Sequence, residues 1–167
     1  MPQVTSKSGR SFACFPAAVL VFLVNDAEQV LLLSANPGEW KIVSGAIEDN
    51  ETILQSARRE LSEEAGTSVV ADPVGVAHAH SYHYDTTVRN VISIYYVMEY
   101  KGGEIVPGDD EKDSVFEWWS LEDIRLRRNE IIIPEKQVWL FERAVSLFRN
   151  YRGRSDALEY FVDDNNG

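Results

Sequence analysis

The chain has 167 residues, 44% of them hydrophobic and 26% charged, the composition of an ordinary water-soluble globular protein. That length suits one domain that buries roughly two thirds of the surface its unfolded form exposes. Sixteen basic against twenty-seven acidic side chains give a net charge of −11, which disfavours duplex nucleic acid or an anionic membrane as partner.

Lys7 and Arg10 precede an apolar run from Phe12 to Val24 that has the outline of an export signal. Pro16 interrupts the run, however, Asn25-Asp26 ends it without a small-x-small cleavage site, and a second strand-like run follows at once. No stretch reaches the ~18 apolar residues a membrane span requires. The single cysteine, Cys14, cannot form an intrachain disulfide and is read as a small apolar strand residue, so a reducing, cytoplasmic location is expected.

Ala17–Val24 and Gln29–Ser34 read as strands joined by N-D-A-E in a hairpin, and Trp40–Val43 as a short third strand entered through Asn36-Pro37-Gly38. A helix follows. Thr52 and Gln55 have capping-box spacing, Leu54, Ala57, Leu61 and Ala65 form an apolar stripe, and Gly66 supplies the stop. Val74–Tyr84 and Val88–Tyr100 read as long strands, the second turning through K-G-G-E towards Ile105-Val106. Phe116–Ser120 is a further strand, with Ser120 capping a short L-E-D-I helix. Pro134–Tyr151 is read as an amphipathic helix burying Val138, Phe141, Val145 and Phe148. Residues 1–152 form the expected domain, and 153–167 the expected mobile tail. Strands mixed with two main helices indicate an α/β or α+β sandwich in which helices cover a mixed β-sheet.

The first helix crowds Glu60, Glu63 and Glu64 onto neighbouring positions, where like charges repel. Such an edge calls for a positive partner. From Gly45 the chain reads G-A-I-E-D-N-E-T-I-L-Q-S-A-R-R-E-L-S-E-E-A-G-T, which resembles the Nudix box G-x5-E-x7-R-E-U-x-E-E-x-G-U, with U a bulky aliphatic residue. Gly45, Glu51, Arg59, Glu60, Leu61, Glu63, Glu64 and Gly66 all fall in register. Two departures stand out. Thr67 occupies the last aliphatic position, and Val43-Ser44-Gly45 replaces the usual P-G-G.

The resemblance implies an α/β/α sandwich that hydrolyses a nucleoside diphosphate linked to another group. It also implies a Mg2+ cofactor, with Mn2+ as a substitute, held by Glu60, Glu63, Glu64 and the Gly45 carbonyl. Chemically this is apt, because magnesium takes hard oxygen ligands from a few carboxylates plus substrate phosphates. By the same resemblance Arg59 steadies a glutamate, Glu63 at i+4 for instance, and Glu51 is a structural partner. Family members often place a further acid in the loop that here offers Asp109, Asp110, Glu111 and Asp113; Glu111 is the one favoured as general base, and the alternative is that it is solvated loop charge while Glu63 or a neighbour takes the proton.

Trp40, Tyr82 and Tyr84 are candidates for stacking on a nucleobase. His78 and His80 share one strand face and, with His83, read either as ordinary strand histidines or as phosphate and base contacts. Tyr84, 17 residues after Thr67, resembles the downstream tyrosine of the diadenosine-polyphosphate branch, while His83 stands where the ADP-ribose branch has proline. The expected activity is a pyrophosphohydrolase of nucleoside triphosphates or dinucleoside polyphosphates. ADP-ribose or nucleotide-sugar hydrolysis is the alternative, and a catalytically silent nucleotide-binding regulatory module is the alternative of another class. A homodimer through the 134–151 helix is a further possibility.

Overall fold

The computed structural model describes residues 3–88, 90–108 and 111–153; the expected tail therefore falls, except for Gly153, outside the described residues, as do Asp109 and Asp110. A small hairpin of β1 (Gln3–Thr5) and β2 (Ser11–Ala13) precedes the main sheet. The main sheet comprises β3 (Ala17–Val24), β4 (Val30–Asn36), β5 (Glu39–Lys41), β6 (Val43–Ala46), β7 (Val70–Tyr82), β8 (Val91–Gly102), β9 (Val115–Trp119) and β10 (Ile131–Ile133). Its order is β10-β5-β4-β3-β8-β7, with β6 also paired to β3 and β9 to β4. β3 runs parallel to β8 and β5 parallel to β10; the other pairs are antiparallel.

The unbroken apolar sequence of β3 follows from its central place. Leu20, Phe22 and Val24 face a core closed by α3 (Val138–Tyr151), while Val19, Val21 and Leu23 face a second core closed by α1 (Ile53–Glu60). A strand buried on both faces carries no polar alternation. The run that outwardly resembles an export signal thus contains the middle strand of an α+β sandwich. A short helix, α2 (Leu121–Leu126), carries a Ser120–Asp123 capping box. Among the described residues no helix is long and apolar enough to cross a membrane.

Three expectations change in detail. Trp40–Val43 splits into β5 and β6, because the Ile42 N–H bonds to Ile133 of β10, a strand not foreseen in the sequence. Ile105-Val106 is not a strand; the Val106 N–H instead bonds to the Ala65 carbonyl at the end of the first helix. Helix α3 begins at Val138, after a cis Ile133–Pro134 bond, and buries Leu140 and Ala144 beside Phe141, Val145 and Phe148, with Val138 only partly buried.

The helix that carries the glutamates begins as the sequence predicts. The Thr52 hydroxyl accepts from the Gln55 N–H at 3.2 Å, and the Gln55 amide oxygen accepts from the Thr52 N–H at 2.8 Å. Leu54, Ala57, Leu61 and Ala65 are all buried. Beyond Glu60 the helix widens into a π turn, Leu61–Ala65, and ends at Gly66, whose φ of +119° suits a residue without a Cβ.

Candidate active site

Two cations divide the acidic edge between them. The Arg59 guanidinium donates to Glu51 twice, at 2.7 and 3.0 Å, to Glu60 at 2.7 Å and to Glu63 at 2.9 Å, and it also reaches the Ala46 carbonyl at 2.8 Å. A planar fork of N–H donors suits such a hub. Arg59 thus contacts Glu63 at i+4 and pairs with Glu51. Lys41, at the end of β5, donates to Glu64 at 3.1 Å and to Glu111 at 2.5 Å. Strand alternation explains its aim: Trp40 points into the α3-side core, so the next residue points to the α1 side.

Glu111 reaches the site because its loop is fastened to the π turn. The Val106 and Gly108 N–H groups bond to the Ala65 and Glu64 carbonyls at 3.0 and 3.3 Å. Gly108 lies so close to the Glu63 carbonyl that a Cβ there would overlap it. The second Glu111 oxygen accepts from the Ser114 hydroxyl at 2.6 Å.

Glu60 and Glu64 are buried, with 7% and 8% of their surface exposed, whereas the Glu63 side chain keeps 45%. Burial raises the Glu60 carboxyl above its ordinary value, against the opposing pull of Arg59 and with help from nearby Glu63 and Glu51. Burial likewise raises Glu64, opposed by Lys41 and by the Ser44 N–H, which donates to it at 3.1 Å. Glu111 also suffers burial, but the hydrogen bonds from Lys41 and Ser114 outweigh it and hold the carboxyl below the usual range. Glu51, with Arg59 donating to it and the Glu48 N–H adding a further bond, is pulled down to about 2.

Gly45, on β6, abuts this cluster: a Cβ there would overlap the Glu60 carboxylate. The donors are all oxygen, two of the carboxylates are buried at an energetic cost, and β6 at Gly45 lies against the Glu60 carboxylate where a side chain would stand. That set fits a hard divalent cation. Yet among the described residues no three His, Cys, Asp or Glu side chains form a ready metal cluster; Arg59 links Glu60 to Glu63, and Lys41 links Glu64 to Glu111. The structure thus brings Gly45, Glu51, Arg59, Glu60, Glu63, Glu64 and Glu111 into one neighbourhood, and adds Lys41, which the sequence reading missed.

The aromatic candidates separate. Trp40 is buried, packed on Trp119 at 5.1 Å between ring centroids and beneath Arg127, so it is a core residue and not a stacking platform. Tyr82 lines a cleft of about 420 Å³ together with Leu20, His80, Tyr95 and Pro134. His80 stacks on Tyr95 at 5.7 Å, while His78 packs edge-on against Trp139 at 5.1 Å. Leu20 pairs in register with Ser44, so the cleft lies across β3 and β6 from the carboxylates, at the same level of the sheet. His83 and Tyr84 lie past the end of β7 in an exposed turn, Tyr84 being 69% exposed, and do not join that cleft. Tyr95 was missed because its partners come from β7, which folds beside β8.

Fold and site together define a class: an α+β sandwich with an arginine-organised glutamate edge on its first helix. The NUDIX domain model matches residues 15–146, and the chain belongs to the NUDIX domain family. The dihydroneopterin triphosphate diphosphatase of Escherichia coli K12 is 38% identical over 60 residues, covering 34% of this chain and 40% of that protein. The ADP-ribose pyrophosphatase of Methanocaldococcus jannaschii is 28% identical over 105 residues, covering 60% of this chain and 61% of its own length. The chain therefore spans less than two thirds of either relative. A NUDIX hydrolase structure from Nitrosomonas europaea superposes with a TM-score of 0.60 at 18% identity, over 89% of this chain and 98% of that one, and shares the fold.

Proposed function

We propose that this protein hydrolyses the diphosphate linkage of a nucleotide, with Mg2+ as cofactor and Mn2+ able to replace it. The observation that carries this reading is the pair of buried carboxylates, Glu60 and Glu64, beside Gly45 on β6, with burial holding both above their ordinary values. Arg59 and Lys41 only partly offset the carboxylates Glu51, Glu60, Glu63, Glu64 and Glu111, and a divalent cation would balance the remaining negative charge. Glu60, Glu64 and the Gly45 carbonyl would hold the ion, with Glu63 beside them. When bound, the ion would offset the charge of the diphosphate and favour deprotonation of a water molecule.

Around it, Arg59 fixes Glu60 and Glu63 relative to the end of β6 through its bond to Ala46. Glu111, carried by the tethered loop, takes the proton from the attacking water once Lys41 lets it go; Glu63, the most exposed of the glutamates, is the alternative acceptor. The base of the nucleotide stacks in the cleft of His80, Tyr82 and Tyr95. The acidic balance of the chain and the single Cys14 suit a small nucleotide substrate in the cytoplasm, without duplex nucleic acid as partner.

Nucleoside triphosphates or dinucleoside polyphosphates are the favoured substrates; the Escherichia coli relative is named for a triphosphate, though one of a pterin, and the name of the Methanocaldococcus relative supports ADP-ribose as the second reading. Chromatography of products from a nucleotide panel with Mg2+ separates them. Pyrophosphate release from a triphosphate supports the first, and AMP with ribose phosphate the second. Tight nucleotide binding without turnover in Mg2+ or Mn2+ overturns the enzymatic reading.

A further inference from the structure

Lys41 stands out because nothing in the box motif requires a cation there. The side chain is largely enclosed, 21% exposed, and its ammonium hydrogen-bonds two carboxylates from distant parts of the chain, Glu64 on the first helix and Glu111 on the tethered loop. Both of these acids are themselves largely enclosed.

Arg59 and Lys41 differ in how firmly they are placed. Arg59 also grips a backbone carbonyl and sits among three glutamates, so its position belongs to the fold. Lys41 is a single charge on a flexible stem, and a lysine ammonium can leave without dismantling a planar array. Five carboxylates, Glu51, Glu60, Glu63, Glu64 and Glu111, meet two cations, so the local sum is −5 + 2 = −3. Losing Lys41 makes it −4 and leaves Glu64 and Glu111 facing each other with no charge between them.

We propose that Lys41 is a positioning residue that stands in for the divalent ion: its ammonium ties Glu111 to Glu64 in the metal-free protein, competes with the ion for Glu64, and frees Glu111 when the ion enters. The inference rests on the reading that these carboxylates bind a divalent cation. It couples arrival of the ion to release of the loop acid, so that Glu111 becomes a competent proton acceptor only in the loaded site. Until then both of its oxygens are engaged, one by the Lys41 ammonium and the other by the Ser114 hydroxyl.

The test is calorimetric titration of Mn2+ into the full-length protein without nucleotide, for wild type, Lys41→Met, Lys41→Gln and Lys41→Arg. Removing a positive charge a few ångströms from a divalent ion tightens binding by roughly tenfold in a partly screened site. Met and Gln variants are expected to bind Mn2+ about that much more tightly, and the Arg variant to stay near wild type. In the metal-free state, amide exchange at Ser114 is expected to quicken in the Met and Gln variants. A merely structural lysine gives the opposite sign, because a damaged site binds the ion more weakly. Unchanged or weaker Mn2+ binding in the folded Met or Gln variant overturns the proposal. Absence of Mn2+ binding by the wild type overturns the metal reading itself, which is a distinguishable failure.

Discussion

Arg59 and Glu51 are joined by two parallel hydrogen bonds, Nε to Oε1 at 2.7 Å and one terminal nitrogen to Oε2 at 3.0 Å. The pair links the start of the box to the middle of its helix, and through Arg59 it sets where Glu60 and Glu63 lie. Lysine cannot reproduce the fork. Arg59→Lys is therefore expected to lower turnover by about 10- to 100-fold, the usual cost of disturbing groups that orient metal ligands. Steady-state kinetics with the best substrate in Mg2+ check this, and circular dichroism shows whether the fold persists.

The same pair gives a pH signature. Glu51 is held near 2, below its ordinary 4.5, so it titrates lower in the folded chain than in the unfolded one. The stability it contributes is present above about 4.5 and is lost as pH falls from there towards 2. Glu51→Gln removes that contribution at every pH. Melting curves are expected to show the wild type more stable than Glu51→Gln at pH 6, with the gap narrowing as pH drops to 3. A gap that stays constant over that range contradicts the assigned ion pair.

Glu64→Gln keeps an acceptor for the Ser44 N–H but loses the charge. If Glu64 holds the cation, the variant forfeits several kcal/mol of charge stabilisation in the transition state, two or more orders of magnitude in rate. The melting temperature should stay close to that of the wild type. Wild-type turnover by this variant in Mg2+ shows that the cation is held elsewhere.

Gly108→Ala tests the tether of the Glu111 loop. The added Cβ overlaps the Glu63 carbonyl, a backbone atom that cannot swing aside, so the loop must lift. The expected cost is about 1–3 kcal/mol of stability, as for other overpacked sites. Amide exchange at Ser114, whose N–H bonds to the Glu111 carbonyl, should accelerate, and turnover should fall with it.

His80→Ala removes one ring of the proposed base cleft without touching the carboxylates. An aromatic contact of about 0.5–1.5 kcal/mol converts to a KM rise of roughly two- to tenfold with kcat nearly unchanged. A fall in kcat at constant KM would place His80 in the chemistry and not in base binding.

Much of this site was legible because it is local. Thr52, Gln55, Leu61 and Gly66 determine one helix through capping, periodicity and a stop, and Glu60, Glu63 and Glu64 inherit their geometry from it. The Arg59–Glu63 contact is likewise an i+4 relation. What lay beyond the sequence depends on distant pairings. Lys41 meets Glu64 and Glu111 only because its side chain reaches from the end of β5 to the π turn, to which Val106 and Gly108 are bonded. Trp40 was misread for the same reason. Alternation gives it a face, but which face is buried depends on α3 and on β10, whose Ile131 pairs with it.

In the proposed mechanism the buried pair Glu60 and Glu64 holds a divalent ion against a nucleotide diphosphate. Anomalous diffraction from crystals grown with Mn2+ and a non-hydrolysable nucleotide tests it most directly. The expected result is a manganese peak within coordinating reach of both carboxylates, with the phosphates on its other side. A bound nucleotide with Arg59 and Lys41 still gripping those glutamates, and no peak between them, would contradict it.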